Sequence, residues 1–188
     1  YYDRNYGVKL SGENDVICTI GSKEGISHMC LALLGPGDTV LVPAPAFPIH
    51  VYAAVIAGAN VLRIPLSTEE AFLAQIVSMC KSLYPAPKLL MLNFPHNPTG
   101  TLASPEFFGE VVTYAKRYGF MVINDFAYAK ITYDGYEAPS FLQAAGGLDV
   151  GVEFGSFSKS YNMAGWRLGY CVGNEAIIDG LSKIKGYY

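Results

Sequence analysis

Val150-Gly151-Val152-Glu153-Phe154-Gly155-Ser156-Phe157-Ser158-Lys159-Ser160-Tyr161-Asn162-Met163-Ala164-Gly165-Trp166-Arg167-Leu168-Gly169 is the stretch from which the rest of the chain can be read. Its opening, Val150 to Phe154, reads as an apolar run and so as a buried strand. Lys159 follows three residues after Ser156 and precedes Arg167 by eight. A lysine amine can form a Schiff base with an aldehyde cofactor, and a hydroxyl with a guanidinium can hold a phosphate dianion. The bare serine, lysine and arginine spacing also describes a surface lysine and arginine flanking a glycine turn. What decides between the two is the surrounding sequence.

Downstream, Leu168 to Val172 reads as a further strand and Asn174 to Ile184 as a helix. Upstream, Ala144 to Gly147 and Tyr133-Asp134-Gly135 read as loops. Before them Phe120-Met121-Val122-Ile123-Asn124 is an apolar strand that delivers Asp125 at its end. Open α/β sheets place ligand contacts at the C-terminal edges of their strands; capping a loop is the competing use of such an aspartate. Ser104 is suited to cap a helix with Pro105 at its first position, running to Tyr118 and stopped by Gly119. Asn93-Phe94-Pro95-His96-Asn97-Pro98-Thr99-Gly100 is a proline-rich turn closing the strand Lys88 to Leu92, and His96 within it reads as structural. Farther out lie a helix from Thr68 to Leu83 and strands at Asn60 to Ile64 and Thr39 to Pro43, the last followed by Pro45-Ala46-Phe47-Pro48. Most phenylalanines serve packing, and Phe47 by itself reads the same way. The helix stop Leu34-Gly35-Pro36-Gly37-Asp38 ends a stripe of Ile26, Met29, Cys30, Leu33 and Leu34 at helical spacing. That helix opens on Gly21-Ser22-Lys23-Glu24-Gly25, after the short strand Asp15 to Ile20. A small-residue turn feeding a helix leaves backbone N–H groups free to grip an anion. Residues 1–15 read as the end of a helix and a polar loop.

Strands that are continuous apolar runs, alternating with helices, argue for an α/β fold: a mostly parallel sheet covered by helices on both faces. No repeat or linker divides residues 1–188, which are read as one domain. Hydrophobic residues make up 51% and charged ones 15%, a balance that excludes a disordered chain. A net charge of −3 offers no electrostatic reason to bind nucleic acid. No apolar run reaches the roughly 20 residues of a membrane span, and the N-terminus lacks a signal-peptide layout. Cys18, Cys30, Cys80 and Cys171 have no metal-ligand spacing; three read as small buried residues, and a reduced, cytoplasmic setting fits them.

Taken together, Ser156 to Arg167 closely resembles the lysine segment of the fold-type I, pyridoxal-phosphate-dependent aminotransferases of class I/II, in the wording of the alanine and aspartate branch. The resemblance extends from about Gly21 to about Gly173 and takes in Asn97-Pro98-Thr99-Gly100 and Asp125-Phe126-Ala127-Tyr128. It implies a seven-stranded sheet in which the strand after Arg167 is antiparallel. It further implies that Lys159 holds pyridoxal 5'-phosphate covalently and moves the substrate's α-proton as general acid and base. By the same resemblance Asp125 pairs with the pyridine nitrogen, Asn97 and Tyr128 hydrogen-bond the phenolic oxygen, and Phe47 stacks on the ring. Arg167, Ser156 and the Ser22–Lys23 backbone bind the phosphate, with Ser158 assisting.

What the resemblance implies for function is transfer of an amino group between a small amino acid, of alanine or aspartate type, and a 2-oxo acid such as 2-oxoglutarate. LL-diaminopimelate transamination is the near alternative. A β-lyase or cyclase on the same scaffold is a second enzymatic possibility. A ligand-sensing module of a transcription regulator, with a DNA-binding domain upstream, is a third. Sites of this family form at a homodimer interface. Its members are also longer than 188 residues. The chain is therefore expected to be a fragment covering most of the large domain, without the N-terminal arm or the C-terminal domain whose arginine grips the substrate carboxylate.

Overall fold

The computed structural model describes residues 1–187. In chain order it contains α1 (Tyr2–Tyr6), β1 (Val16–Thr19), α2 (Ser22–Leu33), β2 (Thr39–Ala44), α3 (Pro48–Ile56), β3 (Asn60–Pro65), α4 (Glu69–Ser82), β4 (Leu89–Leu92) and α5 (Pro105–Tyr118). Then follow β5 (Met121–Asp125), α6 (Gly147–Val150), β6 (Gly151–Ser156), α7 (Phe157–Ser160), β7 (Gly169–Gly173) and α8 (Glu175–Lys185). The seven strands form one sheet in the order β1-β7-β6-β5-β4-β2-β3. β7 runs antiparallel to both β1 and β6, and the other pairings are parallel. The expected α/β sheet and its single antiparallel strand are therefore present.

Alternation along the buried strands feeds two cores, one on each face. Leu90 and Leu92 point to a core with Phe72, Phe107, Phe108 and Phe141, under α4 and α5. Leu89 and Met91 point to the other, with Ile26, Met29, Phe154 and Leu181, under α2, α3 and α8. Burying each such side chain contributes about 1.5–3 kcal/mol, enough to fix which face each helix takes. The caps act locally. The Ser104 hydroxyl accepts the Phe107 amide proton at 3.0 Å and donates to Glu69 at 2.6 Å, tying the starts of α4 and α5 together. Gly119, at φ 75°, ends α5 in the left-handed region that favours glycine. At α8 the Asn174 side-chain Oδ1 accepts from the Ile177 amide at 3.1 Å.

One element is missed by the sequence reading and two details of the lysine strand are corrected. Helix α3 lies between Phe47 and Asn60, where the sequence reading assigns no element; its Val51, Ala53 and Ala54 are buried while Tyr52, Val55 and Ile56 are exposed. A helix apolar on nearly every side has no polar stripe to betray its period. Val150, expected to open the lysine strand, instead closes the short helix α6, so that strand begins at Gly151. Nor is the strand wholly apolar. Glu153 on β6 is fully buried and pairs in register with Asn124 on β5, also fully buried. Its carboxylate accepts from Asn124 Nδ2 (2.9 Å), the Phe141 amide (2.7 Å), the Ser140 hydroxyl (2.5 Å) and the Tyr2 hydroxyl (3.0 Å). Burial pushes this carboxyl up from its ordinary value against those four hydrogen bonds.

Candidate active site

Because β2, β4, β5 and β6 are parallel, their C-terminal ends share one edge of the sheet. Each end passes into a turn that carries a polar or aromatic side chain. The ten residues singled out from the sequence, Ser22, Lys23, Phe47, Asn97, Asp125, Tyr128, Ser156, Ser158, Lys159 and Arg167, line one cavity of about 500 Å³. Gly21, Asn93, Ala127 and Ala164 complete its wall. Two larger clefts, of about 620 and 580 Å³, open beside it, and Lys159 lines neither.

One end of the cavity is suited to an anion. Helix α2 presents its N-terminus there, with free amides and the positive end of its dipole. Arg167 lies directly over the preceding turn: a Cβ at Gly21, where φ is 74°, would stand 2.4 Å from Arg167 Nη2. Only glycine permits that approach. Ser158 Oγ is buried and has no hydrogen-bond partner among the described residues. A buried hydroxyl of this kind is costly unless a ligand satisfies it. Arg167 itself adopts φ 51° and Asn162 φ 53°, so backbone strain gathers in the lysine loop.

The other end is held by Asp125, 4% exposed at the tip of β5. His50 Nε2 donates to Asp125 Oδ2 at 2.9 Å, since an ionised carboxylate can only accept. The Ala127 amide donates to Oδ1 at 3.3 Å. Asn97 Nδ2 stands 3.4 Å from the Tyr128 hydroxyl. Lys159 Nζ lies 5.9 Å from the centroid of the Tyr128 ring, and Lys23 Nζ 4.9 Å from that of Phe47.

His96 turns away from this chemistry. Its Nδ1 shares a 2.8 Å hydrogen bond with Thr99, and burial, reinforced by nearby His50, lowers its pKa. Two residues with no role assigned from the sequence do belong to the site. His50 is three residues beyond Phe47 and thus on the same helical side, a spacing visible only once α3 is recognised as a helix. Asn93, 1% exposed, bonds to two of the site's turns. Its Nδ2 donates to the Asp125 carbonyl at 2.6 Å, and its Oδ1 accepts from the Asn97 amide at 2.9 Å.

Lysine, carboxylate, aromatic ring and the Arg167 end with its free amides thus surround a space suited to a flat, phosphorylated, aldehyde-bearing ring. Comparison with known proteins agrees with that fit. The chain is 50% identical to glutamate–pyruvate aminotransferase AlaC of Escherichia coli K12, over all of this chain and 46% of that one. It is 45% identical to an LL-diaminopimelate aminotransferase of Moorella thermoacetica, over 98% of this chain and 47% of that one. Substrate-bound BacF from Bacillus subtilis superposes with a TM-score of 0.92 at 36% identity, over all of this chain and 48% of that one. The chain thus spans about half the length of the relatives it matches. The profile of the family Aminotransferase class I and II matches residues 1–188, and the chain belongs to that family.

Proposed function

We propose that the protein to which these residues belong is an aminotransferase, moving an amino group between a small amino acid, of alanine or aspartate type, and a 2-oxo acid such as 2-oxoglutarate. The observation that carries this reading is the meeting of Lys159, Asp125 and Arg167 around one cavity. Enzymes of this family use pyridoxal phosphate, and the residues present fit it. When bound, it supplies an aldehyde to join an amine and a ring to take up electrons from the substrate's α-carbon.

Arg167, Ser22, Ser156, Ser158 and the backbone at Lys23 would hold the phosphate. Phe47 would cover the ring, and Asp125 would supply the negative charge that keeps its nitrogen protonated. Asn97 and Tyr128 would hydrogen-bond the ring oxygen. Lys159 would hold the group through Nζ, and its amine would move the proton at the substrate's α-carbon as general acid and base. His50, donating to Oδ2, fixes the Asp125 carboxylate in place.

LL-diaminopimelate transamination is the second reading, supported by the Moorella relative at 45% identity. The proposal includes a homodimer, for which the exposed Tyr52, Val55 and Ile56 side of α3 offers an apolar face. It also includes a cytoplasmic setting, consistent with four free cysteines. No helix among the described residues is long and apolar enough to cross a membrane.

The test uses the full-length protein loaded with pyridoxal phosphate, reduced with borohydride and digested. The label is expected on the Lys159 peptide; its recovery on Lys23 or another lysine overturns the assignment. A separate, unreduced sample given alanine with 2-oxoglutarate should yield pyruvate and glutamate. No glutamate from that pair, with release of pyruvate, ammonia and sulfide from cysteine and water, would mark a β-lyase, and a higher kcat/KM for LL-diaminopimelate the second reading.

A further inference from the structure

We infer that Asn93 is a positioning residue that sets the distance between the two parts of the site addressing opposite edges of one ring. The inference rests on the cofactor placement proposed above. β4 and β5 pair in register from Leu89↔Met121 to Leu92↔Asn124, and there the ladder stops. Asn93 and Asp125 are the next residues on each strand. No regular strand pairing joins them. Instead the Asn93 side chain crosses the gap, Nδ2 donating to the Asp125 carbonyl at 2.6 Å and to the Pro95 carbonyl at 3.4 Å. The same amide group holds the far turn, its Oδ1 accepting from the Asn97 amide at 2.9 Å.

Each end of the amide group therefore grips the backbone of a residue whose side chain faces the cavity. Asp125 meets the ring nitrogen and Asn97, 3.4 Å from Tyr128, the ring oxygen. A rigid ring fixes the spacing of those two atoms, so the protein must match it with two turns that belong to different strands. Other bonds of the Asn97 turn lie within it, among them His96 N–H to Thr101 O at 2.9 Å, Gly100 N–H to His96 O at 2.7 Å and the His96–Thr99 pair at 2.8 Å, or reach elsewhere, as the His96 ring does to the Pro45 carbonyl. Toward the Asp125 turn there is, besides Asn93, the longer 3.4 Å contact of Asn97 with Tyr128. No similar side chain substitutes for Asn93. Aspartate keeps the acceptor for Asn97 but sets an oxygen against the Asp125 carbonyl. Serine is too short to span both, and leucine leaves two buried backbone groups without partners, each costly to orphan.

The experiment compares full-length wild-type protein with Asn93→Asp, Asn93→Ser, Asn97→Ala and the double variant Asn93→Asp/Asn97→Ala, each loaded with pyridoxal phosphate. The reading is the pH midpoint of the bound cofactor's visible absorbance change, together with its dissociation constant. Loosening the donors to the ring oxygen leaves more negative charge beside the chromophore's proton. The midpoint is expected to rise by about one pH unit in both Asn93 variants, a tenfold change in the proton equilibrium. Asn97→Ala should shift it in the same sense, and the double variant no further than Asn97→Ala alone, since Asn93 acts through Asn97. Asn93→Ser keeps the test open should Asn93→Asp fail to fold. A midpoint unchanged in the Asn93 variants while Asn97→Ala shifts it, or shifts that simply add, overturns the inference alone. A midpoint unchanged in Asn97→Ala overturns the cofactor placement and this inference with it.

Discussion

Asp125 is gripped from three directions: His50 on one carboxylate oxygen, the Ala127 amide on the other, and Asn93 on its carbonyl. A group merely capping a loop has no need of a buried histidine. Asp125→Asn keeps the shape and removes the charge, so it separates electrostatics from packing. The variant is expected to retain pyridoxal phosphate but lose about 10²–10³ in kcat, roughly 2.7–4 kcal/mol of transition-state stabilisation. Absorbance titration and steady-state rates measure the two effects separately; a rate within about tenfold of wild type, a barrier change of only about 1.4 kcal/mol, rules out the electron-sink role. Asp125 could be found in the sequence because an apolar strand points at it. His50 and Asn93 could not, since a lone histidine in an apolar run and an asparagine at a strand end have ordinary uses, and only the fold shows what they touch.

Helix α2 lies against β6 with no side chain between them at Gly25. A Cβ there would come within 2.5 Å of Phe154 Cε1 and 2.7 Å of Thr19 Cγ2. On α5, by contrast, a Cβ at Gly109 meets nothing within 4 Å. The same substitution should therefore act in opposite directions. Gly25→Ala is expected to cost about 1–3 kcal/mol by overpacking and to weaken cofactor binding, because α2 carries the anion cradle. Gly109→Ala should gain about 0.5–1 kcal/mol by favouring the helix. Thermal melts read both, at about 2–4 °C per kcal/mol for a chain of this size; equal shifts of one sign would contradict the contacts described. The strongly periodic or firmly capped elements, α2, α4 and α5, could be read from the residues alone. α3 and the α6 boundary at Val150 could not, because β-branched apolar residues there suit either a strand or a helix that is apolar on most sides.

The sheet's order depends on pairings between strands far apart in sequence, and no local pattern encodes them; from the residues alone only the α/β class followed. Glu153 is the plainest case, a buried carboxylate whose partners Tyr2, Asn124 and the adjacent Ser140 and Phe141 come from three separate segments. The cavity holds one guanidinium among the described residues, Arg167, which the proposed function assigns to the phosphate. A second guanidinium to hold a substrate carboxylate in line has no counterpart there, and alignment of the reacting groups is where much of a transfer rate arises. A polypeptide of residues 1–188 alone is accordingly expected to bind pyridoxal phosphate weakly and to give no measurable glutamate from alanine and 2-oxoglutarate. Absorbance and a coupled assay check this, and full activity would show that these residues suffice. The reversed strand β7 has a consequence of its own. Ser156 pairs with Gly169, so the chain leaves the sheet and returns to it at the same point, with Lys159 and Arg167 on the arc between. Each end of that arc is moored by its own strand. A backbone nick at the exposed Tyr161 or Trp166 would leave two pieces, one carrying the amine and one the guanidinium, stitched side by side to the same sheet.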